Sequence, residues 1–209
     1  MKNDIGINQR IPIGILEMAL LSVLNGESSP EYFRQLASIE YRGQNRIGKA
    51  VSIINRLTIK NPLLPFIFEN KDSIQPMLRN SSDRTLLFAA VICSAYGFGY
   101  NLVALLGKYF HTQEQVTTDL IRQKMSAKYG SNRSLPNALY CILPMLIEAG
   151  LIERPVPGIY RAKRIAKTDG MAYSLYHRAF LLNNPTYSDA DDVESNAFFE
   201  FITDKNIIL

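Results

Sequence analysis

Histidine and cysteine are scarce: 209 residues hold only His111, His177, Cys93 and Cys141. A structural zinc ion needs about four ligands in short paired spacings, and none of these residues has a ligand-spaced neighbour, so the sequence predicts no metal and no cofactor. Both cysteines sit in apolar runs, where a thiol acts as a small buried hydrophobe, and such use fits a cytoplasmic compartment. Catalytic signatures are missing too. In "GFGYNLVALLGK" the lysine follows a single late glycine and precedes no Ser or Thr, which fails the phosphate-loop pattern. No nucleophile elbow is present. Asp189, Asp191 and Asp192 share only acidity with a calcium loop, since its glycine and closing glutamate are not in place. The expectation is a protein that is not an enzyme and takes no small-molecule substrate. There is no internal repeat, and the opening "MKNDIGINQRIPIG" lacks a continuous apolar core of signal-peptide type.

What is present is an ordinary globular composition, 47% hydrophobic and 20% charged, in a chain long enough to bury roughly 70% of its unfolded surface. Net charge is +4, and its distribution matters more than its sum. From Leu120 to Lys167 the cations are Arg122, Lys124, Lys128, Arg133, Arg154, Arg161, Lys163, Arg164 and Lys167, against Glu148 and Glu153. From Asn183 onward the acids are Asp189, Asp191, Asp192, Glu194, Glu200 and Asp204, against Lys205 alone. A basic block thus precedes an acidic tail. The block points to an anionic partner.

Thr85 to Gly107 carries no charge and is long enough to span a bilayer. Ser94, Asn101 and three glycines argue otherwise, and the segment reads as two buried helices joined at Gly97-Phe98-Gly99. The surrounding aromatics, Tyr96, Phe98, Tyr100, Tyr109 and Phe110, read as core before they read as a base-stacking platform.

Elsewhere the punctuation is helical. Apolar residues fill Ile15 to Leu24, which stops at Asn25-Gly26. Ser29-Pro30-Glu31 caps a helix to about Tyr41. Ile47, Val51, Ile54 and Leu57 recur at helical spacing. Pro62, Pro65 and Pro76 mark a broken region, and Ser82-Asp83 is placed to cap the apolar pair. Thr112 and Gln115 have capping-box spacing for a helix to Tyr129-Gly130. After Ser134-Leu135-Pro136, Leu139, Ile142, Leu143, Leu146 and Ile147 make one apolar face, with a kink or a tightly joined second helix expected at Pro144. Extended runs then flank Pro157-Gly158, and a last helix covers about Met171 to Leu182.

The run "LPMLIEAGLIERPVPGIYRAKR", Leu143 to Arg164, resembles the ending of many winged-helix domains, where a helix closes on a glycine before a hairpin. The resemblance implies a brace at Gln113 to Tyr129, a turn at Gly130 to Ser134, a groove helix at Pro136 to Ala149 and a wing at Leu151 to Ile165. Groove helices present their first residues to bases, here Asn132, Arg133, Asn137 and Tyr140, and Asn and Arg pair with purine edges. Lys124, Lys128, Arg154, Arg161, Lys163 and Arg164 would then meet phosphates. The other reading of the same residues is a set of solvated faces on a protein-docking module.

A second resemblance runs along the whole chain. "QNRIGKAVSIINRL" with Arg46, Asn55, Arg56 and Leu57, then the Tyr96 region and Glu148-Ala149-Gly150-Leu151, resembles the small BrxA-type proteins of bacterial BREX phage-defence systems. That implies a non-enzymatic, DNA-binding accessory protein in a defence complex. The acidic, aromatic tail after Asn184 departs from the pattern. Its acids either fold back over the basic block and compete there with nucleic acid, with Phe198, Phe199 and Phe201 anchoring the tail in a groove, so that deleting residues 186–209 tightens DNA binding, or belong to a last element packing its aromatics on the domain.

The expected architecture is therefore mainly α, a multi-helix bundle followed by a winged helix-turn-helix with one small β-hairpin. Residues 1–110 form a helical part, 111–182 the winged-helix-like part and 183–209 the tail. The expected function is duplex DNA binding within a multi-component assembly, away from membranes. The alternative is a protein-protein adaptor that docks through the winged-helix fold and aromatic tail.

Overall fold

In the computed structural model, which describes residues 5–130, 132–167 and 170–203, the chain is mainly helical with a small antiparallel sheet. Ser131 of the expected turn, and Asp204 and Lys205 of the tail, lie outside the described residues. No described helix is long and apolar enough to cross a membrane.

Three amino-terminal helices follow the expected punctuation. α1 (Ile13–Leu24) lacks a local side-chain cap; instead the Glu148 carboxylate accepts from the Ile13 N–H at 2.9 Å. That bond ties α1 to a helix late in the chain. α2 (Pro30–Glu40) starts on Ser29, whose Oγ accepts from the Tyr32 N–H. α3 (Gln44–Leu57) buries Ala50, Ile53, Ile54 and Leu57, leaving Ile47 and Val51 half-buried at its edge. The proline-rich region resolves into two short helices, α4 (Leu64–Glu69) with Pro65 in its first turn and α5 (Lys71–Arg79) with Pro76 inside. Asn61 fixes this corner. Its amide donates to the Leu57 and Val91 carbonyls and its oxygen accepts from Leu63 N–H and Ser94 Oγ, so a buried polar group is satisfied on all sides.

The apolar stretch forms two helices, α6 (Ser81–Ala95) and α7 (Gly97–Phe110), but the signals sit one step from where they were expected. The cap of α6 is Asn80, which accepts from both Ser82 and Asp83 N–H. The break is at Tyr96, which is extended, while Gly97 and Gly99 already lie in the first turn of α7. Gly99 serves close packing: a Cβ there would lie 3.1 Å from Ile92 and 3.3 Å from Ile142. Tyr96, Phe98 and Phe110 are buried, as core rather than platform.

After α7 comes the short strand β1 (Val116–Thr117), then α8 (Thr118–Tyr129) and α9 (Leu135–Ala149), then the hairpin β2 (Ile152–Val156) and β3 (Ile159–Ala162). The three strands pair antiparallel in the order β1-β3-β2, with an irregularity between Glu153 and Val156. The expected capping box at Thr112 and Gln115 is not used; Thr117 Oγ1 accepts from Leu120 N–H and starts α8 instead. α9 runs as one helix through Pro144. That residue falls on the side bordering water, where a lost main-chain bond is cheap to solvate. The helix ends on Gly150 at φ 92°, with Leu151 N–H closing onto the Leu146 carbonyl. Thr85 Oγ1 lies 2.7 Å from the Ala149 carbonyl, docking the start of α6 on this end.

β4 (Ile165–Ala166), α10 (Met171–Asn183) and β5 (Ile202–Thr203) complete the described chain, β4 and β5 pairing in parallel. α10 packs on α6, and the segment after it returns to the core through a 3-10 turn, Ala197–Phe199, seated on α7. Phe198 and Phe201 are fully buried and Phe199 nearly so. The tail's aromatics pack on the domain, and two of its acids, Glu194 and Glu200, also fold back to Lys167 and Arg164 of the basic block. The boundary expected between 182 and 183 therefore crosses continuous core packing.

Candidate nucleic-acid interface

The buried face of α9 leaves one outward stripe. Pro136, Asn137 and Tyr140 are exposed along it, with Pro144 and Ile147 half-buried beyond. Tyr140 forms a ridge, 79% exposed, between two concavities. One, of about 220 Å³, lies between α8, α9 and the hairpin and is walled by Leu139, Leu143 and Tyr160, with Arg122 and Arg154 on it. The other, of about 540 Å³, lies between α9, the start of α3 and the amino-terminal segment, and carries Arg10, Arg46 and Lys49 beside Asn8, Gln9 and Asn137.

The charges differ in availability. Arg10 pairs with Glu40, the one acid lining that hollow, at 3.5 Å and with Glu148 at 3.3 Å, so a single cation is shared between two carboxylates. Tyr41 donates its hydroxyl to the Arg10 carbonyl, and burial, reinforced by Glu40, pushes its pKa up to about 12. Arg122 holds Asp119 at 2.9 Å, a solvent-exposed pair that another anion can replace at little cost. Arg46, Lys49 and Arg154 make no salt bridge among the described residues.

Of the base-contact candidates, Asn137 and Tyr140 stand on this stripe. The Asn137 amide donates to the Asn8 carbonyl at 3.0 Å. Arg133 is exposed just before α9, while the Asn132 oxygen accepts from Ser134 N–H and shapes the turn.

The phosphate candidates are split. Arg154 faces α9. β-Strand alternation sends Tyr160 to that same side and Arg161 to the other, where Arg161 meets the Gln115 side chain, whose oxygen accepts from its Nη2 and Nε. Arg164 joins it there, pairing with Glu200 at 2.9 Å. Glu200 also holds His111 at 2.9 Å. Burial alone would raise the Glu200 carboxyl, but the bonds from Arg164 and His111 outweigh it and keep the group below its ordinary value. Lys163 is exposed beside them. On α8, the buried stripe Ile121, Met125, Tyr129 separates Arg122 on one flank from Lys124 and Lys128 on the other, where Lys128 donates to Asn101 of α7 at 2.6 Å.

Two cations on the α9 face, Arg46 and Lys49, were not among the sequence candidates. Their i, i+3 spacing opposite the apolar stripe of α3 marks them as a solvent face, but nothing local reveals that this face adjoins α9. Between α10 and the 3-10 turn, the Asp189 to Glu194 loop closes on itself: Asp191 accepts from Ser188 N–H and Oγ, and Asp192 from Glu194 N–H. No group of three or more His, Cys, Asp or Glu side chains among the described residues is arranged to hold a metal. Protein-family models, curated proteins and solved structures offer no match to this chain.

Proposed function

We propose that α7, β1, α8, α9 and the β2-β3 hairpin form a winged helix-turn-helix that binds duplex DNA without catalysis, α9 entering the groove. One observation carries this reading: the outward stripe of α9 is flanked on both sides by cations, Arg122 and Arg154 against Arg46 and Lys49. A groove helix needs this arrangement, because the two phosphate backbones rise on either side of it. The order helix, strand, helix, helix, hairpin with sheet order β1-β3-β2 supports the winged-helix reading. The resemblance to BrxA-type proteins supports a place in a bacterial phage-defence assembly.

Titration of a fluorescent duplex at about 50 and 200 mM salt tests the reading. Four phosphate contacts give roughly a hundredfold loss of affinity across that range. Absence of binding at the lower salt overturns it. The exposed ring of Tyr140 beside an apolar hollow then favours the adaptor alternative, through α9 rather than the tail, whose Phe198, Phe199 and Phe201 are buried in the chain itself.

A further inference from the structure

The outward stripe of α9 is poor in groups that read base edges and well supplied with groups that stack. Pro136 and Pro144 offer no side-chain hydrogen bond. Asn137, the one amide on the stripe, has an N–H engaged by the Asn8 carbonyl, so its carboxamide is oriented by the chain rather than free to pair with a purine. Between them stands Tyr140, more exposed than any other large hydrophobic side chain among the described residues. Its ring is uncovered, yet an aromatic of this size is normally at least partly packed.

The surroundings define what would cover it. Cations border the ridge on both sides, Arg122 and Arg154 in one hollow and Arg10, Arg46 and Lys49 in the other, against Glu40 as the one acid lining either. The complement is therefore anionic on its flanks and flat and apolar in its middle. Beside the ring the hollow of about 220 Å³ has Leu139, Leu143 and Tyr160 as walls and Arg154 on it. A nucleobase turned out of its stack has a π-face for the tyrosine, an apolar edge for the hollow and a phosphate for the arginine. A base inside an intact duplex presents none of its faces.

We propose that this surface recognises duplex DNA carrying an unpaired base, with Tyr140 stacking on that base. The proposal rests on the groove reading of α9 given above. Turning a paired base out of a duplex costs a few kcal/mol, whereas a bulged base is already unpaired, so the discrimination comes from the DNA itself. Stacking on one aromatic side chain is then enough to give a preference of roughly tenfold.

The test compares two duplexes identical save for one bulged nucleotide, with 2-aminopurine at the bulge, for the wild type, Tyr140→Phe and Tyr140→Ala. The wild type and Tyr140→Phe should bind the bulged duplex roughly tenfold more tightly and quench the 2-aminopurine. Tyr140→Ala should lose the preference, binding both duplexes with equal affinity and with an unchanged salt slope. Because Tyr140 is exposed, its removal leaves the core intact, and circular dichroism verifies this. Equal wild-type affinity for both duplexes, or a preference that survives in Tyr140→Ala, overturns the proposal and leaves the groove reading standing. Single strands binding as well as the bulged duplex overturn the duplex requirement. No binding to either duplex at about 50 mM salt removes both readings together.

Discussion

Gly107 and Ala197 meet backbone to backbone: a Cβ on Gly107 would lie 1.8 Å from the Ala197 carbonyl oxygen. The 3-10 turn can seat itself on α7 only because residue 107 has no side chain. That approach delivers Phe198 onto Tyr176, with ring centroids 4.3 Å apart and the Tyr176 hydroxyl donating to the Phe198 carbonyl at 2.7 Å.

Gly107→Ala should therefore destabilise the protein by about 3 kcal/mol or more, since main chain rather than a movable side chain must shift. Gly48→Ala, inside α3 with nothing within 4 Å of the added carbon, should stabilise by about 0.5–1 kcal/mol. Urea midpoints for the two variants should move in opposite directions. Similar shifts would show that the tail does not dock as described.

Tyr176→Phe keeps the stacked ring but leaves the Phe198 carbonyl buried without its donor, at a cost of about 1–3 kcal/mol. Phe198→Ala should cost about 3–5 kcal/mol. Truncation before residue 186 removes Phe198, Phe199 and Phe201 together and should give an unstable or unfolded chain, not a tighter DNA binder. Thermal denaturation followed by far-UV circular dichroism reads all three.

Glu200 and Glu194 set an acid limit. The bond from Lys167 holds the Glu194 carboxyl below its ordinary 4.5, despite some opposing burial, and Glu200 is lowered by Arg164 and His111. A carboxylate with a depressed folded pKa contributes stability that is full above its unfolded value and is lost as pH falls through the folded one. Stability should thus decline below about pH 4.5, and Glu200→Gln should flatten that decline while lowering stability at pH 7. Urea unfolding at pH 7, 5, 4 and 3 measures it. An identical slope in Glu200→Gln would remove Glu200 from the account.

The two basic surfaces should behave differently toward DNA. Each of Arg46→Ala, Lys49→Ala and Arg154→Ala should weaken binding and flatten the log–log salt slope by about 0.9. Arg161→Ala and Arg164→Ala should leave the slope nearly unchanged, because both stand on the side of the hairpin away from α9 and Arg164 is also paired with Glu200. For Arg164→Ala the loss should appear in stability. The reverse pattern would place the interface on the opposite side of the hairpin.

Much of the helical layout was legible because its signals are local. Ser29-Pro30-Glu31 starts α2, Gly150 ends α9, and Pro157-Gly158 turns the hairpin, each through the conformational limits of a few adjacent residues. The misplaced caps have a local cause too: Asn80 and Thr117 compete with nearby Ser82 and Thr112, and only the path of the incoming chain selects between them.

The candidate site was legible only in part. Asn137, Tyr140 and Arg154 follow from helix and hairpin periodicity once α9 is recognised. Arg46 and Lys49 could not be found that way, and Arg161 and Arg164 were grouped with Arg154 merely because they are near it in sequence. By itself, the sequence determined where the longer helices run, where α9 and the hairpin fall, and that a cationic block surrounds them, since these depend on side-chain period and turn chemistry. Tertiary structure decided which cations share a face with Tyr140 and which are neutralised by the returning tail. Strand pleat, helix rotation and long-range packing assign a charge to one side or the other, and no short-range pattern encodes the meeting of residues that lie far apart in the chain.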